Sequence, residues 1–176
     1  MTCCDPIYEF SASEIASRID ETIPKILSST RRKLENFSSA QFGSPQRLAQ
    51  FGRATMQEFL NDFPSGPAQS RYRAAELANL PFCGDEFDIA LCSHFLFTYS
   101  NLLDLTFHLD SIRELCRVAG EVRIRPLVPQ FGAGHSGWLR KVLDQLTQSG
   151  DQCEVKRVPY EFQQGANEML RISCRR

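Results

Sequence analysis

The sequence predicts an α/β fold in which a mostly parallel sheet ends in an antiparallel hairpin. Three observations carry this prediction. Phe87-Asp-Ile-Ala-Leu-Cys-Ser-His-Phe-Leu-Phe97 is apolar without alternation, as expected of a strand covered on both faces. Leu105, Leu109, Ile112, Cys116 and Ala119 recur at helical spacing up to Gly120 and lead into a strand over 121–128, so strand, helix and strand follow one another as a crossover unit. Residues 153–158 and 168–174 read as strands joined by a stretch with Gly165 that is too short for a helix, which makes them a hairpin.

The earlier part of the chain is helical. Thr2-Cys3-Cys4 reads as a first short strand. Ser11 and Glu14 form a capping box, with Phe10 placed to staple onto Ile15, and Ile15, Ile19, Ile23, Ile26 and Leu27 continue at helical spacing. Pro24 inside that pattern lacks an N–H and crowds the preceding turn, so a kink or two helices is expected. Ser44-Pro45 opens a second helix with an apolar face of Leu48, Phe51, Thr55, Phe59 and Leu60, and Pro64-Ser-Gly-Pro67 ends it. Further on, Ser136 is placed to cap a helix through Leu139, Val142, Leu143 and Leu146 to Gly150. The Ser/Gly/Pro clusters near 38–45 and 64–70 read as surface loops.

With 176 residues, 42% of them hydrophobic and 23% charged, the chain falls in the range of one domain with one core. Its net charge of -1, with Lys and Arg scattered, offers no footprint for nucleic acid or an anionic membrane. The seven cysteines have no framework spacing and several lie in apolar runs, which points to a reducing, cytoplasmic setting. No stretch approaches the roughly 18 uninterrupted apolar residues of a membrane span.

Ligands of an open parallel sheet bind beyond the carboxyl ends of its strands, where loops and helix N-termini converge. That rule selects Asp5 after the first strand, Cys92, Ser93 and His94 at the end of the apolar strand, and Tyr160, Glu161 and Asn167 in the hairpin loop. Asp5 suits the two hydroxyls of a ribose, and equally an Asx-type turn before Pro6. His94 suits a general base, set against a histidine simply satisfied where a strand leaves the core. Cys92 and His94 alternate onto one face, yet nothing supplies the orienting acid of a thiol nucleophile. Cys3-Cys4 with His108 or His135 lacks the paired spacing of a zinc site, and His108 falls at the border of its helical stripe.

Leu80-Pro-Phe-Cys-Gly-Asp-Glu-Phe-Asp-Ile-Ala-Leu-Cys-Ser-His94 resembles the "LPF, acidic turn, FD, apolar strand" signature of class I S-adenosylmethionine (SAM)-dependent methyltransferases. Asp110-Ser-Ile-Arg-Glu-Leu-Cys-Arg-Val-Ala119 resembles their "RELxRV" helix, and Arg157-Val-Pro-Tyr-Glu-Phe-Gln-Gln-Gly-Ala-Asn-Glu-Met-Leu-Arg171 the ending of an uncharacterised bacterial branch of the type 11-like enzymes. The resemblance covers nearly the whole chain. It implies a Rossmann-like, seven-stranded sheet with an antiparallel last strand, SAM beyond its carboxyl edge, and methyl transfer to an acceptor that the resemblance does not identify. By position, Asp5 matches the acid that holds the ribose, Glu76 an adenine-contacting acid, and Ser93 and His94 the strand end beside the methionine part and the substrate.

One part of the family pattern is missing. Its first strand, glycine-rich turn and following helix should precede Asp5, where only four residues stand, and Gly132-Ala-Gly134 reads as an ordinary loop. That unit takes roughly 30 residues or more, and its strand belongs between those near Met1 and Phe87. The expectation is therefore a start assigned too late or a remnant with unpaired strand edges, prone to self-association and weak or inactive with SAM. The alternative function is a non-catalytic protein that binds another protein through those edges.

Overall fold

The structure, a computed structural model, describes residues 1–32, 44–132 and 134–174, and divides into two units, Met1–Glu76 and Leu77–Arg176. The side chains of Ile26 and Leu27 and the loop segment 38–43 lie outside what it describes.

In the first unit, strand β1 (Cys3–Cys4) runs into a 3-10 turn, Pro6–Glu9, followed by helices α1 (Ala12–Arg32) and α2 (Pro45–Asp62), two further 3-10 turns and strand β2 (Tyr72–Arg73). The capping box forms: the Ser11 N–H donates to Glu14 Oε2 at 2.8 Å, and the Glu14 N–H to Ser11 Oγ at 3.3 Å. α1 is one helix through Pro24 rather than two. Asp20, whose carbonyl loses its helical donor to the proline, is exposed like Pro24 itself, so water can replace the missing bond. Ser44 caps α2 by accepting the Arg47 N–H at 3.2 Å, with Pro45 at the first turn.

The expected apolar face of α2 is only partly used. Phe51 is 60% exposed, whereas Phe59 joins Tyr8, Phe63 and Tyr72 in an aromatic cluster with ring centroids 5.1 to 6.2 Å apart. Gly66 lies against this cluster, where an added Cβ would come within 2.0 Å of the Tyr72 ring. β2, which the sequence reading did not foresee, pairs in parallel with β1, Cys3 opposite Tyr72 and Cys4 opposite Arg73. Asp62 holds the end of α2 to β2, paired with Arg71 and accepting the Tyr72 hydroxyl at 2.7 Å.

The second unit holds strands β3 (Phe87–Ser93), β4 (Ala119–Arg125), β5 (Gln152–Arg157) and β6 (Glu168–Ser173), with helices α3 (Leu105–Val118) and α4 (Leu139–Ser149). The sheet order is β3-β4-β6-β5: β3 and β4 are parallel, and β6 is antiparallel to both of its neighbours. The β5–β6 hairpin forms as expected, Arg157 opposite Glu168. Ser136 starts the turn before α4, accepting the Trp138 N–H at 3.2 Å, but the helix cap falls on Trp138, which supplies no side-chain bond. Gly150 closes α4 at φ 86, a left-handed cap that only glycine adopts without strain.

The expectation that β3 is covered on both faces fails. Ala90 and Cys92 pack with Val122, Ile124, Leu170 and Ile172 against Ile112, Leu115, Val142 and Leu146. The residues between them point the other way, and there Ile89 is 44% and Leu91 69% exposed. On β4 and β6 that second face is charged: Glu121 binds Arg123 and Arg171, each at 2.6 Å. The run looked uniform because β3 is apolar on its open face as well. It also ends at Ser93, since Leu96 and Phe97, although fully buried, belong to the turns that follow.

α3 is rotated slightly from the expected stripe. His108, Ser111, Ile112, Leu115 and Val118 are buried, whereas Leu105, Leu109 and Cys116 flank the core. His108 is thus at the centre of the contact rather than its border, 0% exposed, with Nδ1 2.6 Å from the Asp104 carbonyl and Nε2 3.1 Å from that of Leu96. The same helix clamps the turn before β3. Glu114 Oε1 accepts the Leu80 N–H at 2.7 Å, and Arg117, bound to Glu114, donates to the carbonyls of Phe82 at 2.9 Å and Leu80 at 3.1 Å. The "LPF" and "RELxRV" segments are therefore two halves of one contact.

Candidate functional site

β3 and β4 end side by side, Ser93 opposite Arg125, and this parallel pair sets a rim at its carboxyl end. His94 turns sharply out of β3 at φ 54, a conformation rare for a residue with a side chain, while its N–H still donates to the Arg125 carbonyl at 2.7 Å. The turn aligns the imidazole with the preceding hydroxyl, His94 Nδ1 lying 2.9 Å from Ser93 Oγ. Burial and the Arg125 guanidinium both hold His94 below the ordinary imidazole value, so the neutral ring prevails near pH 7.

The β5–β6 hairpin reaches the same rim. The Arg125 guanidinium lies over the Tyr160 ring, 4.2 Å from its centroid, and Phe162 meets His94 edge to face at 6.4 Å. The structure thus brings Ser93, His94 and Tyr160 together, as the sequence led us to expect. Glu161 and Asn167 have local work instead. Glu161 accepts the Gly165 N–H at 2.7 Å and the Asn167 side-chain amide at 3.5 Å, which closes the loop that presents Tyr160 and Phe162.

Arg125 and Phe162 escaped the sequence reading. The signal for Arg125 was present, since the carboxyl-end rule applied to β4 selects it, but next to Pro126 it read as the middle of a longer strand. Cys92 is excluded as a nucleophile: the thiol is 7% exposed and burial pushes it up to about 11. Among the described residues, no group of three or more His, Cys, Asp and Glu is placed to hold a metal ion, and no helix is long and apolar enough to cross a membrane.

Asp5 and Glu76 belong to the first unit. Asp5 follows β1 and takes the turn role considered for it, its Oδ1 accepting the Ile7 N–H at 2.8 Å at the start of the Pro6–Glu9 turn. Glu76 follows β2 by three residues and is exposed. Because β1 and β2 are parallel neighbours, both acids stand at the carboxyl end of their own short sheet.

No known protein family matches the chain, and no solved structure matches it significantly. It is similar to an uncharacterised protein of the archaeon Methanocaldococcus jannaschii, 28% identical over 173 residues, a match that covers 98% of this chain and 75% of the archaeal protein.

Proposed function

We propose that this protein is a SAM-dependent methyltransferase of the Rossmann-like class. One observation carries the reading: the strand bearing the "LPF…FD" signature ends in Ser93 and His94 at a rim shared with Arg125, Tyr160 and Phe162. The order β3-β4-β6-β5 with an antiparallel β6 is in keeping with it.

Taken by itself, the first unit offers two acids that suit an adenosine. Among the described residues, Asp5 has one carboxylate oxygen committed to its turn and the other open to a ribose hydroxyl, and Glu76 is exposed at the same edge of the small sheet. SAM, when bound, supplies a methyl group on a positively charged sulfur. The protein's own task is to hold the acceptor in line and to manage its proton. With Nδ1–H donating to Ser93 Oγ, His94 Nε2 keeps a lone pair for an acceptor O–H or N–H, and its lowered pKa keeps that lone pair free at pH 7. The test is calorimetry with SAM on this chain and on a form extended at its amino end. Binding in either supports the reading, and absence of binding in both refutes it.

A second reading has its own observation. Among the described strands β3 pairs with β4 alone, so one edge of β3 is open beside the exposed Ile89 and Leu91. A protein that acts by pairing this edge with a second chain would self-associate without binding SAM.

A further inference from the structure

Arg125 poses a problem that the methyl-transfer reading leaves unsolved. Its Nε is buried and has no hydrogen-bond partner. Among the described residues no carboxylate lies within ion-pair distance of its guanidinium. The one acid of the hairpin loop, Glu161, is spent on Gly165 and Asn167. Leaving a donor unsatisfied inside a protein is costly, and each such group calls for an explanation such as an ion, a water or a functional role. The face of the Tyr160 ring attracts the guanidinium's charge but is not a hydrogen-bond partner for Nε.

We propose that Arg125, lying over Tyr160 at the carboxyl end of β4 beside Ser93 and His94, binds a carboxylate carried by the methyl acceptor. This rests on the methyl-transfer reading for the word acceptor, not for the anion site. A planar guanidinium presents parallel N–H donors that match the two oxygens of a carboxylate, and the surrounding rings favour a carboxylate on a flat, apolar body over a free phosphate. Placed there, the anion neutralises Arg125 next to His94 and brings a nucleophile of the same molecule within reach of the imidazole.

The test uses the protein without SAM and three probes followed by NMR titration: benzoate, its neutral counterpart benzamide, and inorganic phosphate. Benzoate is expected to bind better than either of the others. R125Q is expected to weaken benzoate on the order of tenfold or more, and R125K, which keeps the charge but not the fork, to fall between. Circular dichroism checks that both variants fold. Benzamide or phosphate binding as well as benzoate, or benzoate unaffected in a folded R125K and R125Q, overturns the proposal. SAM calorimetry on the same samples separates the two ideas. Arg125-dependent benzoate binding without SAM binding leaves the anion site standing and removes the methyl-transfer reading. SAM binding without benzoate binding does the reverse.

Discussion

His108 is the most demanding residue in the second unit, because it is a polar ring with 0% exposure among Leu96, Phe97 and Ile112. Replacing it with leucine preserves most of the volume and removes the bond from Nε2 to the Leu96 carbonyl. In the Nε2–H tautomer the ring donates to Leu96, and the Asp104 carbonyl is satisfied by the His108 backbone N–H at 3.2 Å. The cost of His108→Leu is therefore that of one orphaned buried carbonyl, about 1 to 3 kcal/mol. His108→Ala adds the cavity left by the ring, for a total of about 3 to 5 kcal/mol. In urea, with a slope of about 2 kcal/mol per molar, a loss of 2 kcal/mol moves the midpoint down by roughly 1 M. Equal midpoints for wild type and His108→Leu would refute the claim that this bond holds the post-β3 turns to α3. Equal midpoints for the leucine and alanine variants would refute the packing part.

Ile112→Ala is expected to cost about 2 to 5 kcal/mol and Leu109→Ala distinctly less, since Ile112 is 0% exposed and Leu109 only flanks the core; the reverse order in denaturant midpoints would mean that α3 is rotated otherwise. Leu91→Lys places a charge on the open face of β3 and is expected to weaken any self-association about tenfold by sedimentation, leaving the midpoint of unfolding nearly unchanged. Asp5→Asn keeps an acceptor for the Ile7 N–H but loses the charge, so in a SAM-binding form it should weaken SAM by about 1 to 3 kcal/mol without loss of stability, as read by calorimetry and thermal melting. Glu114 is held below the ordinary 4.5 by its bond from Arg117, and Glu121 by its bonds from Arg171 and Arg123. Their contribution to stability is present above pH 4.5 and lost as pH falls through the lower folded values, so the urea midpoint should drop in that window and Glu121→Gln should flatten the drop.

Local pattern was enough to read the long elements. The Ser11–Glu14 box, the Ser44-Pro45 start, the left-handed Gly150 and the brevity of the loop between β5 and β6 each act within a few residues, so the chain alone reveals them. The rim was legible in part, because Ser93, His94 and Tyr160 follow from the rule about strand ends. What escaped depends on residues far apart in sequence. Whether Ile89 and Leu91 are covered is decided by which face of the sheet α3 and α4 take, and the two-residue β2 exists only through pairing with β1, some 70 positions away. His108 is at the core rather than its margin because the Leu96 carbonyl comes down to meet it. Arg125 is distinguished by the acid that is not beside it. Composition can register a positive charge, but only packing reveals that its neighbours are an aromatic ring and a histidine and that the glutamate of the hairpin loop is engaged elsewhere.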